Sequence, residues 1–235
     1  LRRSKRTPRH LFAHGVIGIG PTCLRSSGCG LQPQCITGWK PVPRSNRMNF
    51  PLHPRLDLSG AWSFAIDFQT GEHRTIAGLE QSGLKILPAQ VPGNLELDLH
   101  AVGKIPEPFH GMNIAALRKY ESAHAWYFRR FDCTVPAGTT PVLVFEGLDC
   151  FADVWLNGRL VGSSANALVE HTFPADGLRA AGNELLVHLR PATEEARKFD
   201  YPPGAIAQPN SYESLRVRKA PHVFGWDIMP RAVSA

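Results

Sequence analysis

The sequence predicts an all-β protein, an antiparallel β-sandwich of jelly-roll type that follows a disordered N-terminal leader. Three observations lead to this prediction. From Leu58 onwards, the chain contains short aromatic and β-branched runs with partial two-residue alternation. Turn residues separate these runs at near-regular spacing, which is typical of sandwiches and jelly rolls. The leader shows neither a helical period nor sustained alternation, so it has no face with which to build a core.

The predicted strands begin with residues 61–68, an aromatic run that ends at Thr70-Gly71. Four similar runs follow, at residues 125–133, 142–145, 151–156 and 184–189. Asn157-Gly158 stands between the run at 151–156 and Leu160-Val161, and this dipeptide is the usual signal for a type I′ hairpin turn. Turn chemistry also fills the other gaps, at Pro136-Ala137-Gly138, Glu146-Gly147 and Ala181-Gly182-Asn183.

Evidence for helices is sparse. Residues 94–101 follow a Pro-Gly turn and carry Leu95, Leu97 and Leu99 with acidic residues between them, so we predict a short helix capped by Asn94. Two intervals, 101–121 and 201–210, are rich in Gly and Pro and show no core-building pattern. Because they are longer than ordinary connections, we interpret them as functional loops or surface wraps.

The leader carries the positive charge of the chain. Residues 1–47 contain nine Lys or Arg and no Asp or Glu, a net charge of +9. The whole chain has 26 basic and 20 acidic residues, so the remainder keeps 17 basic and 20 acidic residues, a net charge of −3. Such a body does not suit nucleic acid. Since no stretch approaches the roughly 18–20 uncharged apolar residues that cross a bilayer, we predict no membrane partner either.

Two interpretations of the leader stay open. Its Arg-rich, acid-free composition resembles a transit peptide, whereas the start at Leu1 and the position of Met48 suit upstream sequence that was read through. The leader cysteines, Cys23, Cys29 and Cys35, lack the close C-x-x-C spacing of a zinc site, and the body shows no metal-ligand cluster. We therefore expect no metal and no other cofactor.

Seven segments, in order along the chain, carry a resemblance to a known family. The chain resembles the N-terminal, galactose-binding-like domain of β-mannosidases of glycoside hydrolase family two, over about residues 55–232. Two of the segments, Ile105-Pro106-Glu107-Pro108-Phe109 and Phe224-Gly225-Trp226-Asp227, point to the mannosidase branch. Together with the composition of the leader, this divides the chain into a disordered basic leader at 1–50 and a β-mannosidase-like, sugar-binding sandwich at 51–235. The seven segments are 58–64, 91–94, 103–113, 126–131, 145–149, 154–158 and 218–227.

The candidate substrate-binding residues are Trp226, Asp227 and Arg218. An indole face can stack on the C–H face of a hexose, and a carboxylate can accept hydrogen bonds from adjacent hydroxyls. From the residues alone, Trp226 could equally be a core aromatic and Asp227 the cap of a turn. The resemblance implies that both hold the terminal mannose. Arg218 can fork across paired oxygens, with an exposed surface charge as the alternative.

Other residues with a possible binding or catalytic role are interpreted as structural. We predict that the strand aromatics pack in the core, because they lie inside strands. Asp149 and Asp153 flank what the family implies is a structural strand, so we reject them as a catalytic pair. Asn183-Glu184 is interpreted as a turn that enters a strand. The strand aromatics are Trp62, Trp126, Phe128, Phe145 and Trp155.

The resemblance also implies what a complete enzyme needs. Retaining glycosidases use two carboxyl groups about 5–5.5 Å apart, which in this family are glutamates on a (β/α)₈ barrel of roughly 250 residues. The sequence has no room for that barrel, so we expect a catalytically silent chain that lacks the last strand of its sandwich. The expected partners are a β-mannoside or other carbohydrate and a (β/α)₈ catalytic domain.

Two further questions stay open at this point. A free-standing carbohydrate-binding module and a subunit-interaction module are alternatives to a domain of a β-mannosidase. The compartment is not determined either: it would be cytoplasmic or periplasmic in a bacterium and lysosomal in an animal.

Overall fold

The computed structural model describes residues 17–21, 54–69, 71–201, 204, 212–225 and 230–234, and the description below refers to these residues. For residues 17–21 it describes the backbone alone. No helix within these ranges is long and apolar enough to reach across a membrane. Of the predicted loop at 201–210, only Tyr201 and Gly204 are among the described residues.

Two antiparallel sheets form the structure, which confirms the predicted all-β sandwich. The larger sheet has six strands in the order β4-β3-β5-β10-β7-β8, and the smaller has four in the order β2-β1-β6-β9. Every predicted strand is present, with bounds that differ by at most two residues. In chain order the strands are β1 (Ile17–Pro21), β2 (Leu56–Asp57), β3 (Gly60–Asp67), β4 (Leu87–Val91), β5 (His124–Phe131), β6 (Pro141–Phe145), β7 (Phe151–Leu156), β8 (Arg159–Ala165), β9 (His171–Pro174) and β10 (Asn183–Arg190).

Strand β1 lies within the leader, where the sequence predicts disorder. It pairs with β6, Ile17 opposite Phe145, and with β2, Gly18 opposite Asp57. The hydrogen bonds of both pairings are made by backbone N–H and C=O groups, which a glycine-rich segment has like any other. For this reason the side-chain pattern did not reveal the strand. The remaining residues of the leader lie outside the described residues, so the expectation of disorder stays untested for them.

The larger sheet is buried on both faces at its centre. On β5, Ala125, Tyr127 and Phe131 face the smaller sheet and form the main core, while Trp126 and Phe128 face the opposite way. Helix α1 (Ile76–Gln81) covers this outer face with Ile76 and Leu79, both fully buried. The burial on both sides explains why β5 reads as a nearly continuous aromatic run.

A buried carboxyl group links the larger sheet to helix α2 (Leu95–Ala101). Asp98 is 5% exposed and accepts hydrogen bonds from the Tyr127 hydroxyl at 2.8 Å and the Gln90 backbone N–H at 3.0 Å. Burial raises the pKa of Asp98, and burial together with this carboxyl raises the pKa of Tyr127 well above its ordinary value. Helix α2 begins where predicted, because the Asn94 side chain accepts the Leu97 N–H.

The long interval after α2 differs from its interpretation as a loop without core residues. It contains a 3₁₀ helix over Asn113–Tyr120, and Ile105, Leu117 and Tyr120 are buried in the main core. These apolar side chains are too widely spaced along the sequence to form a two-residue or helical period. The sequence pattern therefore does not reveal them.

The hairpin between β7 and β8 has the predicted turn. Asn157 and Gly158 both have positive φ, 52° and 80°, as a type I′ turn requires. The Asn157 side chain donates to the Gly177 carbonyl at 2.9 Å and accepts the Glu184 N–H at 2.8 Å. The turn is thus tied to the start of β10.

Candidate functional site

The two principal candidates, Trp226 and Asp227, lie outside the described residues, but both flanks of this dipeptide are described. The preceding flank is residues 212–225 and the following flank is residues 230–234. Together they show what holds the segment that carries the dipeptide.

The preceding flank ends in a tight turn. A 3₁₀ helix over Pro221–Phe224 starts with proline, whose fixed φ suits the first helical position. It ends at Gly225, which has a φ of 89° and donates its N–H to the His222 carbonyl at 3.1 Å. Phe224 is fully buried in a small apolar cluster that also contains Val217 and Val233. The residue before Trp226 is therefore held in place by the turn and by the buried Phe224.

The following flank, residues 230–234, packs against the preceding flank. The Ala232 N–H donates to the Val223 carbonyl at 2.8 Å, and Val233 is buried beside Phe224. Ser234 is hydrogen-bonded to Glu96 of α2. The two ends of the segment that carries Trp226 and Asp227 are consequently held side by side, next to α2.

A cluster of charged side chains, here called the Arg231 cluster, fixes the returning flank. The Arg231 guanidinium contacts Glu121 at 3.0 Å and Glu213 at 3.5 Å, and the three side chains are only 8%, 14% and 17% exposed. The Arg231 guanidinium also lies over the Phe224 ring, 5.7 Å from its centroid. Arg118 and Arg197, both largely exposed, complete the cluster through Glu121 and Glu213. Removing Arg231 from this group would leave Glu121 and Glu213 with only the exposed Arg118 and Arg197 as partners, and weakening a buried ion pair in this way is costly.

Sequence reasoning missed the Arg231 cluster. Arg231 and Glu121 are 110 positions apart, and Glu121 stands at the end of an interval that was interpreted as a loop. No local pattern connects the two residues. The nearest signal is the clustering of charge at Arg118, Lys119 and Glu121, which alone predicts an exposed face.

Arg218, the third candidate, lies in an extended stretch with alternating orientation. Its backbone forms a parallel bridge with Asn166, and its carbonyl accepts the Ala167 N–H at 2.8 Å. The Arg218 side chain is exposed, whereas the next residue, Lys219, is buried and contacts Asp149 at 2.7 Å. Within the described residues the Arg218 guanidinium has no hydrogen-bond or ion-pair partner.

The carboxylates that were rejected as a catalytic pair have structural partners. Asp149 is paired with Lys219, and Asp153 accepts the Ser163 hydroxyl and contacts Arg190 at 3.3 Å. Asn183 opens β10 as expected, with its side chain bonded to the backbone of Arg179. The predicted core aromatics are buried, except that Trp155 is half-buried.

Cysteine and metal chemistry find little support in the described ranges. Burial raises the pKa of the Cys150 thiol to about 12 and also raises that of Cys133, so neither is a ready nucleophile. In the part of the chain that the structure describes, no group of three or more His, Cys, Asp or Glu side chains is arranged to hold a metal ion.

Comparisons with known proteins agree with this structure. The model of the family described as glycosyl hydrolase 2 galactose-binding domain-like matches residues 66–235. Beta-mannosidase B of Thermothelomyces thermophilus is 37% identical over 153 residues, which are 62% of this chain and 18% of that protein. Beta-mannosidase B of Emericella nidulans is 32% identical over 187 residues, which are 76% of this chain and 21% of that protein.

A solved structure shows the same fold. The beta-D-mannosidase of Dictyoglomus thermophilum aligns with a TM-score of 0.61 at 30% identity, covering 75% of this chain and 21% of that one. The chain thus spans about a fifth of the length of these relatives. On these grounds the chain belongs to the glycoside hydrolase family two galactose-binding-like domains and is similar to the N-terminal region of β-mannosidases.

Proposed function

We propose that this chain is the carbohydrate-recognition domain of a β-mannosidase-type glycoside hydrolase, and that it binds a terminal β-linked mannose through Trp226 and Asp227. The observation that carries the proposal is the fixed base of the segment bearing these residues. A tight turn leads into the segment at Gly225, and the Arg231 cluster anchors its return. A binding dipeptide benefits from such support, because ordering a loose loop on binding costs free energy.

The chemistry of the dipeptide suits a hexose. The Trp226 indole offers an apolar face to the C–H groups of the ring, and the Asp227 carboxylate can accept hydrogen bonds from two neighbouring hydroxyls. Arg218 adds an exposed guanidinium, eight positions before Trp226 and nine before Asp227 in the chain. We assign it the role of an additional donor to sugar oxygens, since a guanidinium has five N–H groups and no acceptor.

Catalysis is assigned to another domain. The hydrolysis of terminal β-mannosides by two glutamates belongs, in this proposal, to a (β/α)₈ domain that follows the sandwich in the complete enzyme. The described carboxylates near the site already have structural partners: Glu121 and Glu213 contact Arg231, Asp149 contacts Lys219, and Glu96 is hydrogen-bonded to Ser234. We therefore expect this chain to bind but not to hydrolyse.

We assign contact with the catalytic domain to the loop that carries the exposed side chains of Phe109 and Met112. Phe109 and Met112 are 70% and 80% exposed, and Glu107 makes contacts to both sides of the loop that carries them. The Glu107 side chain contacts His100 at 3.2 Å, and its carbonyl accepts the Asn113 amide at 3.0 Å. Helix α2 precedes this loop and contacts Ser234 of the returning flank through Glu96.

Those two exposed side chains also suit a subunit-interaction module, the second candidate function. Large exposed apolar side chains that share one loop are typical of contact surfaces. In that case the chain would associate with another protein and have no affinity for sugar. A direct binding measurement separates the two candidates.

The test is a calorimetric or NMR titration of the 235-residue chain with methyl β-D-mannoside. We expect saturable binding that is weaker by about 10–150-fold in Asp227→Asn, because hydrogen bonds to a charged group contribute about 1.5–3 kcal/mol. Asp176→Asn, at an exposed carboxylate of the β9–β10 connection, is the matched control and should bind as the unsubstituted chain does. Equal affinity in both variants, or no binding by the unsubstituted chain, would refute the proposed site.

A further inference from the structure

Two histidines form a buried pair on the outer face of the larger sheet. His124 of β5 and His188 of β10 are 7% and 8% exposed, and Nδ1 of His124 lies 2.8 Å from Nε2 of His188. At this distance one nitrogen must donate a hydrogen and the other must accept it. The two nitrogens cannot both carry hydrogen. If both rings were protonated, both nitrogens would carry hydrogen, and this hydrogen bond could not form.

The histidine pair is part of the contact between the sheet and the helix layer that covers it. The His188 ring stacks on the Trp126 indole, with centroids 3.7 Å apart and an interplanar angle of 4°. His73, two residues before the cap of α1, meets the same indole edge-on at 5.0 Å. Trp126 also packs against Ile76 and Leu79 of α1. A displacement of His188 would therefore reach α1 through a single shared side chain.

Charged and titratable groups of both signs surround the pair. Burial is the largest cause that lowers the pKa of His188, to about 3, followed by His124, Arg190 and His73. Burial also lowers the pKa of His124, and Lys198 lowers it further. The carboxylates of Glu194, Asp67 and Glu195 act in the opposite direction and raise it. Asp153 lies opposite His188 across the strand pair and is engaged by Arg190. These groups come from β3, β7, β10, α3 (Ala192–Arg197) with the residue that follows it, and the segment before α1.

We propose that the histidine pair is an acid-sensitive latch, which in its neutral form holds α1 and the preceding segment on the outer face and on protonation releases them. The latch is independent of the sugar site, since none of its side chains belongs to that site. It gives the domain a stability that depends on pH in the weakly acidic range, where free histidine gains its proton.

The sign follows from proton linkage. Because the folded pKa lies below the ordinary histidine value of 6.5, the unfolded chain binds more protons than the folded chain as pH falls below that value. The stabilisation is complete above about pH 6.5 and is lost progressively towards pH 3. For His188 alone, a pKa of about 3 predicts that the unfolding equilibrium constant rises about 30-fold between pH 8 and pH 5.

The test is urea unfolding of the complete chain at pH 8 and pH 5, for the unsubstituted protein, His188→Gln and a control. Glutamine keeps a hydrogen-bonding amide but cannot titrate, so this variant should lose most of the 30-fold rise that is attributed to His188. His110→Gln, at an exposed histidine, should retain it. A rise below about threefold in the unsubstituted protein, or an equal rise in all three proteins, would overturn the proposal.

Two measurements on the unsubstituted protein keep the test decisive if His188→Gln does not fold. The imidazole NMR signals of His188 should remain those of the neutral ring down to pH 5, and a midpoint near 6.5 would contradict the latch. Amide exchange corrected for intrinsic rates should show that α1 loses protection at pH 5 before β6 does. Parallel loss in both elements would contradict the assignment of α1 as the released layer.

Discussion

The Arg231 cluster allows a quantitative prediction, because two of its arginines contact the same carboxylate from different environments. Arg231→Met removes a guanidinium that is 8% exposed, and Arg118→Met removes one that is 58% exposed, yet both contact Glu121 at about the same distance, 3.0 and 2.9 Å. Methionine keeps much of the apolar stem in each case. The comparison therefore contrasts a buried arginine, which also contacts Glu213 and the Phe224 ring, with an exposed arginine on the same carboxylate.

The two variants should lose different amounts of unfolding free energy. Breaking a buried ion pair costs about 3–5 kcal/mol when the remaining charge has no other partner. In Arg231→Met, Glu121 keeps Arg118 and Glu213 keeps Arg197, so we expect a loss of about 2–3 kcal/mol, below that range. For the exposed Arg118, surface pairs suggest at most about 1 kcal/mol.

Urea unfolding followed by tryptophan fluorescence measures both variants. With a slope of about 2–3 kcal/mol/M for a domain of this size, Arg231→Met should lower the midpoint by about 1 M. Its affinity for methyl β-D-mannoside should also fall, whereas Arg118→Met should bind normally. If Arg231→Met is no less stable than Arg118→Met, the Arg231 cluster does not anchor the returning flank, and the main support for the proposed site is lost.

Substitutions at three further positions test the packing of the sandwich. Tyr127→Phe should cost about 1–3 kcal/mol, because it leaves the buried Asp98 carboxyl with one hydrogen bond fewer; the urea midpoint at pH 7 measures it, and no change would mean that water replaces the hydroxyl. Gly162→Ala should cost about 1–3 kcal/mol, since the added Cβ would lie 2.0 Å from the Phe173 ring; an unchanged thermal midpoint would show that β8 and β9 separate easily. Asn157→Ala should destabilise by about 1–2 kcal/mol through the positive φ and the lost hydrogen bonds, and Asn157→Gly should cost less at the thermal midpoint; equal losses would mean that the hydrogen bonds matter more than the backbone conformation.

The central strands of the larger sheet could be predicted from the sequence, because each carries a local side-chain pattern that indicates its burial. The edge strand β4 was not predicted. Strand β5 carries alternate side chains to two apolar layers, and the Asn157-Gly158 turn needs only two residues to specify a hairpin. The cap of α2 by Asn94 is equally local. In each case the physical cause lies within a few residues, where a pattern can be recognised.

What the sequence did not reveal depends on distant partners. Helix α1 is stabilised by packing on the outer face of the larger sheet, and strand β1 by pairing with β6. Neither element has a strong sequence pattern of its own. The contacts of Glu121 and His124 are likewise set by residues more than 60 positions away. Trp226 and Asp227 came from resemblance to a family, and their role stays a prediction.

Saturation-transfer NMR on methyl β-D-mannoside with the unsubstituted chain is the most direct test of carbohydrate recognition. If Trp226 stacks on the sugar, transfer should be strongest to H1, H3 and H5, the protons on one face of a β-mannoside, and Trp226→Ala should abolish this pattern. Absence of transfer, or the same pattern in Trp226→Ala, would contradict the claim that this domain recognises mannose through that residue.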